Sequence, residues 1–153
     1  MREIGSIEEL RGLAGTEVAV GEWVEITQER IDAFADATGD HQWIHVDRER
    51  AQRESPFGTT IAHGYLTLSL LPMMLHESVA MQAPLKMTIN YGLNKLRYPT
   101  PVKSGARIRN RTSLVSVEDH DAGWLAVWRQ VVEIDGEAKP ALVADAVTLY
   151  VKA

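Results

Sequence analysis

The sequence predicts an α+β domain in which one antiparallel sheet packs around one apolar helix. Two observations carry this prediction. Residues 57–76 contain no Asp, Glu, Lys or Arg, so a helix within this stretch needs protein around most of its surface. After Pro84 the sequence changes from helical spacing to alternation of apolar and polar residues, which is typical of strands. A sheet that covers the uncharged helix would bury both elements.

Size and composition fit one domain over residues 1–153. The chain is 45% hydrophobic and 24% charged, as expected for a globular protein. A net charge of -5 without a block of Lys or Arg argues against nucleic-acid binding. The chain has no cysteine, which excludes disulfides, thiolate metal sites and a Cys nucleophile. No apolar signal-peptide core follows Met1, so we expect a cytoplasmic protein.

The first elements are predicted from local capping signals. The segment Ser6–Glu9 has the spacing of a capping box at the start of a short helix. Residues 18–26 have the composition of a strand, and Thr27 is a good N-cap for a second helix. Gly39 is expected to end that helix in the left-handed conformation, which makes Asp40 the first residue beyond it.

The uncharged stretch predicts a buried helix from about Ala62 to Val79. Pro72 lacks an N–H group and should kink this helix, which frees the carbonyl of Leu68. A membrane span is disfavoured because polar residues, including His63 and Gly64, interrupt the apolar pattern. The preceding region, 40–60, is polar and irregular, with a short helix predicted near 47–51.

The second half of the chain predicts strands joined by hairpin loops. Apolar and polar residues alternate at 86–91. Three further segments follow that either alternate in the same way or are rich in Val and aromatic residues. These strands are predicted at 107–117, 124–134 and 142–151, with loops at 118–123 and 135–137.

Asp40 and His45 form the most informative pair in the sequence. They stand five residues apart on a short segment that follows the predicted helix stop at Gly39. A carboxylate and an imidazole can hold and deprotonate a water if the fold brings both side chains to one point. Spacing alone leaves open a plain turn or capping role for Asp40 and a structural role for His45.

A family resemblance gives this pair its interpretation. The segment Ala37–Asp40, followed by His45 and Ala51, resembles the hydratase-2 signature of the MaoC-like dehydratases. Ile61–Gly64 resembles the start of that family's central helix, and Ile89–Pro99 is similar to the NodN-like branch. The resemblance implies the hot-dog fold, a curled antiparallel sheet around a long central helix. It covers most of the chain from about residue 26.

The resemblance implies (R)-specific hydration of trans-2-enoyl-CoA and the reverse dehydration of 3-hydroxyacyl thioesters. Asp40 and His45 would activate a shared water and supply the proton for the α-carbon. Gly64 would donate its backbone N–H to the thioester oxygen as the enolate forms, because N–H groups are free in the first turn of a helix. No metal and no organic cofactor is expected. Close packing of the helix against the sheet is the alternative role for Gly64.

Further residues are expected near the substrate. Gln42 and Trp43 stand where the common family pattern has Asn-Pro, and Gln42 would reach the point that the Asn reaches. His63 is expected beside the substrate, with packing at the helix start as the alternative. Asn94 and Arg97 would lie near the phosphates or at a subunit contact, and a solvated strand end is the alternative.

Partners follow from the same resemblance. The substrate would be an acyl-CoA thioester or the same acyl group on acyl carrier protein, and the chain would form a homodimer. No nucleic-acid or membrane partner is expected. The basic residues Arg107, Arg109 and Arg111 alternate along a strand and predict either an exposed sheet face or a phosphate contact.

Two other functions and one metal site are alternatives to the hydratase interpretation. A hot-dog thioesterase usually carries a carboxylate on the central helix, and Ala62–Leu75 has none. A non-catalytic acyl-thioester binding subunit would be expected to lack the Asp/His pair. A metal site at His41 and His45 would need a helical segment, which Gly39 disfavours.

Overall fold

The computed structural model describes residues 1–153, which form six helices and eight strands. The helices are α1 (Ile7–Gly12), α2 (Gln28–Thr38), α3 (Trp43–Val46), α4 (Arg48–Glu54), α5 (Gly64–Ser69) and α6 (Leu71–Ser78). The strands are β1 (Arg2–Ile4), β2 (Glu17–Val20), β3 (Val24–Glu25), β4 (Val79–Met81), β5 (Leu85–Arg97), β6 (Arg107–His120), β7 (Gly123–Ile134) and β8 (Leu142–Lys152).

One six-stranded antiparallel sheet dominates the fold. Its strands run in the order β2-β6-β7-β8-β5, and the short β3 also pairs with β6. A separate two-stranded parallel pair joins β1 to β4. The predicted strands at 107–117, 124–134 and 142–151 are confirmed, with ends that extend by up to three residues. The strand predicted at 18–26 is two short strands, β2 and β3.

Helices α5 and α6 pack their apolar residues against the sheet, as predicted. One buried cluster contains Leu66, Leu71 and Met74 from these helices together with Ile108 of β6 and Leu142 of β8. The core therefore lies between the two helices and one face of the sheet, and α2 adds Ile31 to the same cluster.

The single long helix predicted from Ala62 to Val79 is wrong in two respects. It is two helices that meet at Leu70, because Pro72 at the start of α6 cannot donate to the carbonyl four residues earlier. Burial is also incomplete, since Tyr65 is 69% exposed and Ser69, His76 and Glu77 are exposed. One side of the α5 and α6 pair is therefore exposed to solvent in the single chain.

Local capping follows the sequence closely at α2. The Thr27 hydroxyl accepts a hydrogen bond from the N–H of Arg30, and Gly39 ends the helix with φ 79°. At α1, Ser6 accepts from the N–H of Glu9, but the Glu9 carboxylate accepts from Gly5. The predicted capping box therefore closes one residue earlier than its usual form.

The basic stripe on β6 is paired with acidic residues. Arg107 pairs with Asp135, Arg109 with Glu133, and Arg111 with Glu17. This pairing agrees with the exposed sheet face, because the guanidinium charges already have carboxylate partners.

Strand β5 forms an exposed edge of the sheet. It pairs with β8 on one side, and Met87, Ile89, Tyr91 and Leu93 are each 40–55% exposed. Long apolar edge strands invite pairing with another chain. No helix of the structure is long and apolar enough to span a membrane.

Candidate active site

Helix α2 and the short helix α3 deliver the two candidate catalytic side chains. Gly39, in the left-handed conformation, turns the chain out of α2, so Asp40 begins the segment that leads to α3. The carboxylate of Asp40 accepts from the N–H of Gln42 at 3.3 Å, a local turn bond. His45 lies within α3 and is buried. The turn therefore places Asp40 at the surface, with its side chain 54% exposed.

The fold brings Asp40 and His45 to one point. A carboxylate oxygen of Asp40 and ring nitrogens of His45 and His63 lie within 4.8 Å of one another. One water that makes two hydrogen bonds of about 2.8 Å spans such a gap. The geometry therefore lets a carboxylate and an imidazole contact the same water.

The protonation of His45 is set by its neighbours. Its Nδ1 lies 2.7 Å from the main-chain carbonyl of Ile61. A carbonyl can only accept, so Nδ1 carries the hydrogen and the neutral ring keeps a lone pair on Nε2. Burial lowers the pKa of His45; the nearby His63 adds to this, against the raising effects of the Ile61 bond and of Asp40. His45 is thus a neutral imidazole that can accept a proton at Nε2.

His63 lies in the frame of the site. Its buried ring stacks on His45, with centroids 3.8 Å apart, and Phe34 contacts it from α2 at 5.0 Å. Its Nε2 donates to the main-chain carbonyl of Asp40 at 3.0 Å. This bond ties the residue before α5 to the segment that carries Asp40.

Gly64 opens α5 beneath an aromatic ring. A Cβ added at residue 64 would lie 3.1 Å from the ring of Tyr98, so the two chain segments approach closely because residue 64 has no side chain. As the first residue of α5, Gly64 has no acceptor for its N–H within the helix. Tyr98 was not anticipated from the sequence, because its contact joins residues 34 positions apart in the chain.

The other expected substrate contacts are spread over the surface. Gln42 is exposed and its side chain makes no capping bond, while the Trp43 ring packs against Arg50 at 4.3 Å. Asn94 is exposed on β5, and Arg97 bonds the carbonyl of Leu96. Neither Asn94 nor Arg97 forms a hydrogen bond or an ion pair with Asp40 or His45.

Two buried polar residues were also missed by the sequence. Gln28, the first residue of α2, bonds the main-chain carbonyl of His45, and Thr60 bonds Gln28. A glutamine at a helix start and a threonine in an irregular segment carry no sequence signal for such a contact.

A large cavity lies elsewhere in the fold. It has a volume of about 490 Å³ and lies between α5, α6 and the inner face of β5 and β8, where Leu68, Leu75 and Thr148 contribute to its walls. None of the candidate catalytic residues lines it. We base the site on the convergence of Asp40 and His45, because chemistry needs reactive groups within hydrogen-bonding range and volume alone supplies none.

Asp40, His45 and His63 are close enough together for their side chains to be considered as ligands of one metal ion. The planes of His45 and His63 are inclined by 22° and stack at 3.8 Å. Lone pairs lie in the ring planes, so stacked rings do not direct them to one shared ion. The expectation that the chain uses no metal stays a prediction.

Comparison with known proteins gives consistent matches. Residues 10–134 match the family model described as MaoC like domain. The chain is 52% identical to 3-hydroxyacyl-thioester dehydratase Z of Mycobacterium tuberculosis (strain ATCC 25618 / H37Rv) over 99% of each chain. It is 45% identical to Nodulation protein N of Rhizobium leguminosarum bv. viciae over 94% of this chain and 90% of that protein.

Solved structures match the fold. R-Hydratase PhaJ1 from Pseudomonas aeruginosa aligns with TM-score 0.72 and 21% identity over 92% of this chain and 83% of that chain. The (R)-hydratase from A. caviae aligns with TM-score 0.67 and 23% identity over 87% of this chain and 97% of that chain. The predicted hot-dog fold is confirmed by these matches.

Proposed function

Because this chain belongs to the MaoC-like domain family, we propose that it hydrates trans-2-enoyl thioesters to (R)-3-hydroxyacyl thioesters and catalyses the reverse dehydration. Similarity to a protein named 3-hydroxyacyl-thioester dehydratase, at 52% identity over 99% of both chains, supports this reaction. The observation that carries the proposal is the convergence of Asp40 and His45 within 4.8 Å.

The water step uses both side chains. The Asp40 carboxylate and the unprotonated Nε2 of His45 each accept one hydrogen from a shared water, whose oxygen faces the β-carbon of the enoyl group. As that oxygen bonds the β-carbon, Nε2 takes the proton and the double-bond electrons move toward the thioester carbonyl. The enolate then takes the proton from Nε2 at the α-carbon. Water is thereby added as H and OH, and general acid–base catalysis of this kind contributes about 10²–10⁴-fold.

Gly64 stabilises the enolate oxygen in this proposal. Its N–H has no acceptor within α5, and an N–H donor aimed at developing negative charge is worth roughly 10²–10³-fold. The reaction then needs neither a metal nor an organic cofactor.

The proposed substrate is an acyl thioester of coenzyme A or of acyl carrier protein. Gln42 and Trp43 would contact the acyl group because they flank the Asp40 segment. Asn94 and Arg97 are proposed for the phosphates, where an exposed guanidinium would pair well. His63 is buried and bonded to the main-chain carbonyl of Asp40. It would contact the substrate only where its ring borders the site. A cytoplasmic location stays a prediction.

We propose a homodimer that forms along β5. The strand is 13 residues long, lies at a sheet edge and exposes four large apolar side chains. Pairing two copies would satisfy the free backbone groups and cover this patch. Light scattering coupled to size exclusion measures the mass, and a monomer at working concentration would contradict the dimer.

The reaction is tested with crotonyl-CoA. Hydration removes the conjugated thioester absorbance, and chiral analysis of the product reports its configuration. We expect absorbance loss and an (R) product. A wild-type protein that is inactive over a series of acyl lengths, or an (S) product, would overturn the proposal.

The alternatives have less support. A hot-dog thioesterase usually has a carboxylate on the central helix. In α5 and α6 the carboxylate is Glu77, which is exposed near the end of α6, far along the chain from Gly64. A thioesterase would release free thiol from acyl-CoA. A non-catalytic subunit would bind enoyl-CoA without turnover.

A further inference from the structure

Beyond the two reacting side chains, a buried hydrogen-bond network holds the main chain around His45. It consists of Gln28 and Thr60, which are 5% and 0% exposed. One hydrogen of the Gln28 amide goes to the main-chain carbonyl of His45 at 2.7 Å, and the other goes to Asp32. The Thr60 hydroxyl donates to the amide oxygen of Gln28. Both amide hydrogens and the amide oxygen of Gln28 are therefore used.

The orientation of this amide is fixed by its partners. The His45 carbonyl and the Asp32 carboxylate are acceptors, so the NH2 group must face them. The remaining amide oxygen then faces the hydroxyl of Thr60, which is the group able to donate. A flipped amide would set oxygen against oxygen twice, which buried groups do not tolerate.

These bonds fall on both sides of the imidazole. His45 is held at its own carbonyl by Gln28, and its Nδ1–H is held by the carbonyl of Ile61, the residue that follows Thr60. The N–H of Ile61 in turn donates to the carbonyl of Ile44 at 3.0 Å. Gln28 therefore connects the chain that carries the ring to the chain that fixes its tautomer.

Helix α2 is thus linked to both members of the pair. Its first residue, Gln28, bonds the carbonyl of His45, and it ends at Gly39, directly before Asp40. The four-residue α3 has too few turns to bond the carbonyl of His45 internally, and the amide of Gln28 replaces the missing helical donor.

We infer that Gln28, held by Thr60, is a positioning residue that fixes the direction in which His45 presents Nε2 to the shared water. This inference rests on the proposed function. Gln28 does not touch the reacting atoms; it acts through the main chain of His45. Misplacing a reacting group by about 1 Å can cost 10²-fold, so the effect should appear in turnover rather than in binding.

The test compares substitutions that keep shape and remove the bonds. In Gln28→Met the amide is lost at similar length, and we expect kcat to fall roughly 10–100-fold with KM changed less than about threefold. In Thr60→Val the hydroxyl is lost, and we expect kcat to fall about tenfold. Thr60→Ser keeps the donor, so its kcat should stay near the wild-type value.

Ser78→Ala is the matched control. It deletes a buried hydroxyl that bonds the carbonyl of Met74 on α6, so it should lower the melting temperature without changing kcat. If Gln28→Met does not fold, Thr60→Val and Thr60→Ser decide the question.

Long-range ¹H–¹⁵N spectra of the histidine rings give a readout independent of turnover. Wild-type His45 should show the Nδ1–H tautomer, and Gln28→Met should add the Nε2–H form. A lower melting temperature with unchanged kcat and unchanged tautomer would overturn the inference. Failure of wild-type protein to hydrate enoyl-CoA over a series of acyl lengths would instead refute the proposed function and leave the tautomer result to judge Gln28.

Discussion

The ring of Tyr98 lies where a side chain on Gly64 would have to stand, 3.1 Å from an added Cβ. This contact brings the end of β5 onto the first turn of α5. It also offers a way to separate the two roles considered for Gly64, close packing and donation of its N–H.

We expect Gly64→Ala to lower kcat by about 10–100-fold, because the new methyl group displaces the N–H that bonds the enolate oxygen. Tyr98→Leu in the same chain removes the clash and should recover most of the loss. Crotonyl-CoA kinetics of the single and double variants measure this. Unchanged kcat in Gly64→Ala would assign the glycine to packing alone.

Removing either member of the pair should nearly abolish turnover. Asp40→Asn and His45→Gln are each expected to lower kcat by about 10²–10⁴-fold, since an amide has neither the negative charge of the Asp40 carboxylate nor the basicity of the His45 imidazole. The double variant should lose little more than the worse single one, because the two groups act as a unit. Stopped-flow absorbance measures the rates, and equal activity of either variant and wild type would remove that residue from the mechanism.

The pH profile should report the neutral form of His45. Burial lowers its pKa below the ordinary value of 6.5, so the acid limb of kcat/KM should fall below pH 6.5. The same shift makes its contribution to stability complete above that pH and progressively lost as pH falls through the folded pKa.

His41 provides the control for this profile. Its pKa is raised by the hydrogen bond to Asp36, so a limb that belonged to His41 would lie above pH 6.5. We expect His41→Asn to leave the acid limb in place; a limb that moves with this substitution would contradict the assignment to His45.

Dimer formation should depend on the exposed face of β5. Ile89→Glu places a charge in the apolar patch and should shift the mass from dimer toward monomer. Val115→Glu is the matched control, because Val115 on β6 is 42% exposed and Ile89 is 40% exposed. Light scattering that gives the same dimer mass for both variants would exclude pairing along β5.

The turn after α2 should be sensitive to a methyl group. Gly39 has φ 79°, so Gly39→Ala should reduce the free energy of unfolding by about 1–2 kcal/mol and displace Asp40. Gly12→Ala is its control, because Gly12 lies in α1 with open space around it and alanine favours helix by up to about 1 kcal/mol. Denaturant titrations compare the two, and equal effects would argue against strain at residue 39.

Local chemistry made part of the fold predictable. Thr27 and Gly39 mark the ends of α2 because their preferred backbone angles and side-chain bonds depend on neighbours within four residues. Strands β6 to β8 were predictable because alternation records which side of a strand faces the core. The sequence predicted a kink and not the division into two helices at Leu70, since Pro72 indicates only that one backbone hydrogen bond is lost.

The sequence by itself determined which reactive groups are available: an Asp and a His on one short segment, and a glycine at the start of a helix. Only the tertiary structure decided that Asp40 and His45 converge, that Ile61 fixes the tautomer of His45, and that Gln28, Thr60 and Tyr98 surround the site. The physical reason is range. Capping and periodicity act over a few residues, whereas the contacts made by Ile61, Gln28, Thr60 and Tyr98 join residues 16 to 34 positions apart and exist only after burial has brought the segments together.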